Sequence, residues 1–258
     1  MGGDEHYVEE RNLSHAWARA LRLVTKRGRK EIAPLIVSVT GFHRTGLPVE
    51  DASIRTVLDD VLARAGKHLC ATVANTIFPE SLWNPGRGRA RLFQRYCRIL
   101  PSLRHALHSN SRGLYFDRLI SGGPAGKENQ LDFAINTYMK RIGVRRSVLQ
   151  ASVFDPHRDH SSAAQLGFPC LQHVTFAPTV GGLCLNAFYA TQYMVERAYG
   201  NYLGLCRLGR FMAHELDMRL TRMTCFTGIA ECDTAKKHLE SIFEVINGAL
   251  GPAVAKNR

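Results

Sequence analysis

Pro169-Cys170-Leu171-Gln172-His173-Val174-Thr175-Phe176-Ala177-Pro178-Thr179-Val180-Gly181-Gly182-Leu183-Cys184-Leu185-Asn186-Ala187-Phe188-Tyr189-Ala190 is the stretch whose reading decides the fold. Its apolar runs at 171–177 and 183–190 are short, rich in β-branched and aromatic residues, and broken by a turn ending in a glycine pair, so each reads as a strand. Runs of the same kind at 147–154 and 223–230 add two more strands. One long apolar helix, over about 195–217, interrupts the series. Working back toward the N-terminus, Leu13, Trp17, Leu21 and Leu23 recur at near-helical spacing behind Asn12 and Ser14, and predict an amphipathic helix over 12–25 with either residue as its cap. A strand follows at 32–42. Further helices are expected at 50–65 (stopped by Gly66), near 88–108, and at 129–141 (stopped by Gly143), and a C-terminal helix ends near Gly248. No internal repeat at solenoid periods is present. Helices packed on a large mixed β-sheet, an α+β arrangement in a single domain over 1–258, is the economical architecture.

Composition narrows the class. Of the 258 residues, 45% are hydrophobic and 22% charged, which is ordinary for a globular chain. No apolar run approaches the roughly 18 to 20 residues that span a bilayer, and the acidic start Met1-Gly2-Gly3-Asp4-Glu5 does not read as a signal peptide, so a cytoplasmic protein without a membrane partner is expected. Seven cysteines, at 70, 97, 170, 184, 206, 225 and 232, form no C-x-x-C pair, which suits neither a disulfide framework nor a zinc ribbon. A formal charge of +12 invites a nucleic-acid reading. Its clusters, Lys26-Arg27-Gly28-Arg29-Lys30 and Gly86-Arg87-Gly88-Arg89, are short and not interleaved with aromatics, so nucleic acid is not the expected partner; a small anionic substrate explains part of the charge equally well. Residues 155–160, Asp-Pro-His-Arg-Asp-His, hold two histidines and two carboxylates, enough to begin a metal site, but Arg158 in their middle argues against one. No metal is expected. His173 and His214 read as partners in local hydrogen bonds.

Cys170 lies between a polar loop and a strand, where a thiol can project from a sheet edge into a cleft, and Arg145, Arg146 and Arg158 are near it along the chain as cations able to favour a thiolate. Taken alone, it reads first as a buried core thiol. The pattern around it adds more. Pro169-Cys170 before a strand, Gly182-Leu183 opening the next, and Gly200-Asn201 at a helix start resemble the pyrimidine-binding half of thymidylate synthases and pyrimidine nucleotide hydroxymethylases, with the Cys170-to-Asn201 interval matched without a gap. Arg44-Thr45-Gly46, Glu80-Ser81-Leu82-Trp83, Tyr115, Gln130-Leu131 and Arg145-Arg146 resemble further landmarks of that family in the same order. The similarity runs over roughly 12–230.

The resemblance implies a thymidylate synthase-like fold with two sheets back to back in a homodimer, and one-carbon transfer, methylation or hydroxymethylation, to C5 of a pyrimidine nucleoside 5′-monophosphate. It implies Cys170 as the nucleophile at C6, Asn201 at N3 and O4 of the ring, Glu80 as the manager of protons at O4, and Tyr115 as an active-site tyrosine. Arg44 would hold the phosphate, with Arg145 and Arg146 reaching across the interface to the partner's phosphate and Thr191 on the substrate strand. The implied donor is 5,10-methylenetetrahydrofolate. The sequence also departs from the family. Ala190-Thr191 replaces an arginine and serine, Tyr193 an aspartate used with folate, and Leu171 a histidine; Glu231 and Asp233 stand where a histidine and tyrosine hold the sugar, and are expected to accept hydrogen bonds from ribose hydroxyls or to be surface residues. The segment after Asp233 is shorter than the family's. Two rivals stay open: folate-independent thiolate chemistry on a pyrimidine, and a catalytically silent nucleotide- or RNA-binding protein.

Overall fold

The computed structural model describes residues 6–106, 114–121, 128–140, 142–160, 169–234 and 236–252. Strands β1 (Tyr7–Glu10), β2 (Glu31–Ile32), β3 (Leu35–Val39), β4 (Gln150–Ser152), β5 (Leu171–Thr179), β6 (Gly182–Tyr193) and β7 (Leu220–Glu231) form one mixed sheet in the order β1-β3-β7-β6-β5-β4, with β2 also paired to β7. β5 and β6 make an antiparallel hairpin, and β6 and β7 run parallel. The helices are α1 (Leu13–Thr25), α2 (Ala52–Arg64), α3 (Cys70–Ile77), α4 (Arg89–Ala106), α5 (Tyr115–Leu119), α6 (Gln130–Lys140), α7 (Pro156–Asp159), α8 (Tyr199–Glu215) and α9 (Lys236–Leu250). The expected α+β class therefore stands as helices on a large mixed sheet.

The parallel β6–β7 pair needs a crossover, and the long apolar helix supplies it. Thirteen of the 17 residues of α8 are buried, as expected of a helix sandwiched between the sheet and other helices. Two of its three glycines, Gly200 and Gly204, allow α3 to come close. A Cβ at Gly200 would lie 2.5 Å from the Val73 Cβ, and one at Gly204 would lie 2.8 Å from the Ala74 carbonyl oxygen. Asn12 caps α1, accepting from the amides of Ser14 at 2.9 Å and His15 at 3.2 Å. The Ser14 hydroxyl instead meets Tyr199 at 2.7 Å, tying α1 to α8.

The expected strand over 32–42 divides at Pro34, which has no amide to donate to a ladder, into β2 and β3. The expected helix over 195–217 starts one residue sooner, at Met194, and its first five residues, Met194–Ala198, form a π turn. In each long strand the in-out alternation skips a residue, at 172–173, 190–191 and 228–229, between the buried pairs Leu171/Val174, Tyr189/Gln192 and Thr227/Ala230. These skips lie where β5 begins and β6 and β7 end, and the β5–β6 register shifts there, between Leu171 and His173, a bulge of the kind that re-aims side chains.

Candidate functional site

That end of the sheet holds Cys170. It is exposed at the head of β5, whereas Cys70, Cys206 and Cys225 are buried. Its carbonyl accepts from the Ala190 amide at 3.0 Å, and its Sγ lies 3.7 Å from the Thr191 hydroxyl. The hairpin thus fixes the thiol beside the Thr191 side chain. Tyr115, first residue of α5, stands behind the pair. Burial pushes its hydroxyl above the ordinary tyrosine range, as does the neighbouring Cys170, while the Leu171 amide and the Arg197 charge act in the opposite direction. Its ring meets the buried Tyr189 ring edge-on, with centroids 6.5 Å apart.

Asn201 occupies the first turn of α8. The residue is 4% exposed, and no side-chain hydrogen bond to another described residue holds its amide. The amide is not among the fully buried polar atoms that lack a partner, so water or a ligand can reach it.

The other expected residues fall into two further groups. Arg44 is exposed at the tip of a turn closed by the Gly46 amide donating to the His43 carbonyl at 2.8 Å. Gly46 has φ +79, and a Cβ there would lie 2.9 Å from the Arg210 Cγ, so the turn rests on Arg210. Arg210 in turn donates to Glu80 at 2.5 Å and lies over the Trp83 ring at 5.0 Å, while Arg207 approaches the other Glu80 oxygen at 3.9 Å. Arg44 and Glu80 are thereby brought together through a side chain that the sequence reading missed. The contacts of Glu80 are with these two arginines of α8.

Arg145 and Arg146 stand at the opposite end of β5. The Arg146 guanidinium donates to the Pro178 carbonyl at 3.2 Å and borders a cavity of about 300 Å³ with Gln150, Thr175 and Phe176. Eight residues of strand separate Pro178 from Cys170, roughly 26 Å at the usual rise. Within one chain these arginines do not reach the thiol.

The expectation for Asp233 needs correction. Asp233 is not free to hold a sugar. Its carboxylate accepts from the Val195 amide at 2.8 Å and the Glu196 amide at 3.0 Å, capping the π turn, and burial raises it above the usual carboxylate range despite those bonds. The carboxylates of residues 155–160 are also committed: Asp155 caps α7 through the His157 amide, and Asp159 pairs with Arg118 at 2.7 Å, both partners buried. Among the described residues no group of three or more His, Cys, Asp or Glu could hold a metal ion, and no described helix is long and apolar enough to cross a membrane. His173 bonds the Ser152 hydroxyl at 3.2 Å.

Arg197 is the residue of this region with no signal in the sequence, because a cation inside an expected helix reads as part of its solvated face. No protein-family model matches the chain, and no curated protein does.

Proposed function

We propose that the chain is a thymidylate synthase-like enzyme, acting as a cytoplasmic homodimer, that transfers a one-carbon unit to C5 of a pyrimidine nucleoside 5′-monophosphate through a Cys170–C6 adduct. The observation that carries the reading is the Cys170 thiol, exposed at the head of β5 and flanked by Thr191 and Tyr115. The thiolate forms a bond to C6, and the C5=C6 electron pair moves through C4 onto O4. C5 then attacks an electrophilic one-carbon donor, and the electron pair freed by loss of the C5 proton expels the donor's carrier, leaving an exocyclic methylene at C5. Addition of a hydride from the carrier (methylation) or of water (hydroxymethylation) to that methylene returns an electron pair that expels Cys170 and restores the C5=C6 double bond. Asn201, with an amide that no other described side chain or loop carbonyl holds, suits the ring edge, where a directed amide donor stabilises charge on O4.

The donor implied by the resemblance is 5,10-methylenetetrahydrofolate, and the residues present do not fit it. Tyr193 offers a phenol where a carboxylate is needed, the Asp233 carboxylate is taken by two amides, and that of Glu196 pairs with Lys67 at 2.7 Å. The segment after Asp233 forms α9, held to α1 where Arg22 donates to Asn247 at 2.6 Å. The same observations favour a second reading, in which Cys170 activates the pyrimidine for substitution or exchange at C5 without folate.

The homodimer reading is supported by the sheet face opposite α1 and α8. Ile36, Phe226, Phe188 and His173 stand directly opposite one another on β3, β7, β6 and β5. Phe188 and Phe226 stack at 5.3 Å while 40% and 36% exposed. A second copy on this face would cover the row and bring its own Arg145 and Arg146 toward the far end of the strands.

Tritium release from 5-tritiated UMP, dUMP, CMP and dCMP tests the chemistry. Release that requires the folate supports one-carbon transfer, release without it supports the second reading, and no release from any nucleotide contradicts both. Cys170→Ser is expected to lower release by roughly a thousandfold or more.

A further inference from the structure

Along the chain, the cation next to the Thr191–Cys170 contact is Arg197. It belongs to the π turn Met194–Ala198, which follows β6 directly, six residues after Thr191 touches Cys170. π turns are rare and concentrate at functional sites. This one is pinned on every side. Trp17 donates its indole N–H to the Met194 carbonyl at 2.7 Å, Asp233 takes the amides of Val195 and Glu196, and Glu196 pairs with Lys67. Met194, Val195 and Ala198 are buried, Glu196 is half-buried, and Arg197 alone of the five is exposed. Its guanidinium has no ion pair or hydrogen bond among the described residues. A fixed backbone thus presents an unpaired guanidinium, with little ordering left to be lost when an anion binds. The Tyr115 hydroxyl feels the charges of both Cys170 and Arg197, which agrees with a cation at this end of the sheet.

We infer that Arg197 is the anion anchor of the Cys170 site, receiving the phosphate of a nucleoside monophosphate within the same chain. The inference rests on the nucleotide reading above for the identity of the ligand, though not for the pairing of cation and thiol. A guanidinium fork matches two phosphate oxygens at once, which a lysine ammonium cannot do. Arg44, at the turn resting on Arg210, and Arg145 and Arg146, at the far end of β5, leave this place to Arg197.

The test uses the thiol as its reporter. Alkylation of Cys170 by anionic iodoacetate and by neutral iodoacetamide is followed by peptide mapping in the full chain, in Arg197→Gln and in Arg197→Lys. The expected result is a fall of severalfold in the iodoacetate-to-iodoacetamide rate ratio in Arg197→Gln, with Arg197→Lys holding most of it. UMP and dUMP should protect Cys170 from iodoacetamide, with protection weakened about tenfold in both variants, the size of one charge-assisted hydrogen-bonded contact. Uridine and deoxyuridine should protect all three proteins alike. An unchanged rate ratio in Arg197→Gln overturns the inference whatever the substrate. A lowered ratio with protection by inorganic phosphate, and none by nucleotides, upholds the anchor and removes the nucleotide reading instead. Arg197 is exposed, so both variants should fold, and matching circular dichroism spectra check that they do.

Discussion

Single residues decide whether the sheet end works as a site, and several of them act by holding others. Asp233 satisfies two amides of the π turn that carries Arg197, so Asp233→Ala should cost about 1 kcal/mol, the usual worth of a lost cap, read as a lower urea midpoint. The same variant should blur the charge selectivity of Cys170 alkylation, because the turn then loses its anchor. The Arg118–Asp159 pair is a structural counterpart, with Asp159 also accepting from the Asp155 amide at 2.9 Å. Burial opposes ionisation of Asp159, but the Arg118 hydrogen bonds outweigh it and hold the carboxyl below the usual range. A folded-state value below the unfolded one stabilises the fold fully above the unfolded value, near 3.9, and that contribution is lost as pH falls from there through the lower folded value. The contribution of this pair to urea stability should therefore be nearly flat from pH 7 to about pH 5 and weaken below about pH 4. Asp159→Asn should remove part of that drop and cost about 3 to 5 kcal/mol at pH 7, since Arg118 stays buried beside one charge fewer.

At the scale of elements, α8 is the hinge of the account, because it crosses over between β6 and β7 and carries Asn201. Gly204→Ala would drive a methyl against the Ala74 carbonyl oxygen at 2.8 Å and the Ile77 Cβ at 2.9 Å, so it should destabilise by about 1 to 3 kcal/mol in urea unfolding. The long strands and α8 were legible from sequence because their apolar runs are unambiguous. α3 was not: Ala71-Thr72-Val73-Ala74-Asn75-Thr76-Ile77 is rich in β-branched residues, and it is helical because Gly200 and Gly204 give it a groove to enter. β1 was missed for a different reason. Tyr7-Val8-Glu9-Glu10 is too short and too acidic to announce a strand, and pairing with β3 makes it one. In the site, Cys170, Thr191 and Tyr115 were singled out through the family resemblance. Arg197, Arg210 and the capping role of Asp233 were not, because each depends on a contact between distant segments that periodicity does not encode.

For the whole molecule, the question is what covers the open sheet face. Phe188→Lys places a charge in the Ile36–Phe226–Phe188–His173 row and should leave the core untouched, since Phe188 is 40% exposed. Light scattering after size exclusion is expected to give a dimer for the natural sequence and a monomer for the variant, with loss of activity if Arg145 and Arg146 serve the partner's site. An active monomer would contradict that arrangement. The central claim, that Cys170 adds covalently to a pyrimidine nucleotide, is tested most directly by intact-protein mass spectrometry after incubation with the 5-fluorinated forms of UMP, dUMP, CMP and dCMP, each with and without 5,10-methylenetetrahydrofolate. The account predicts a mass increase of one nucleotide for at least one of them, absent in Cys170→Ser, with any further increase on adding the folate identifying the donor. No adduct with any of the four, under either condition, would contradict it.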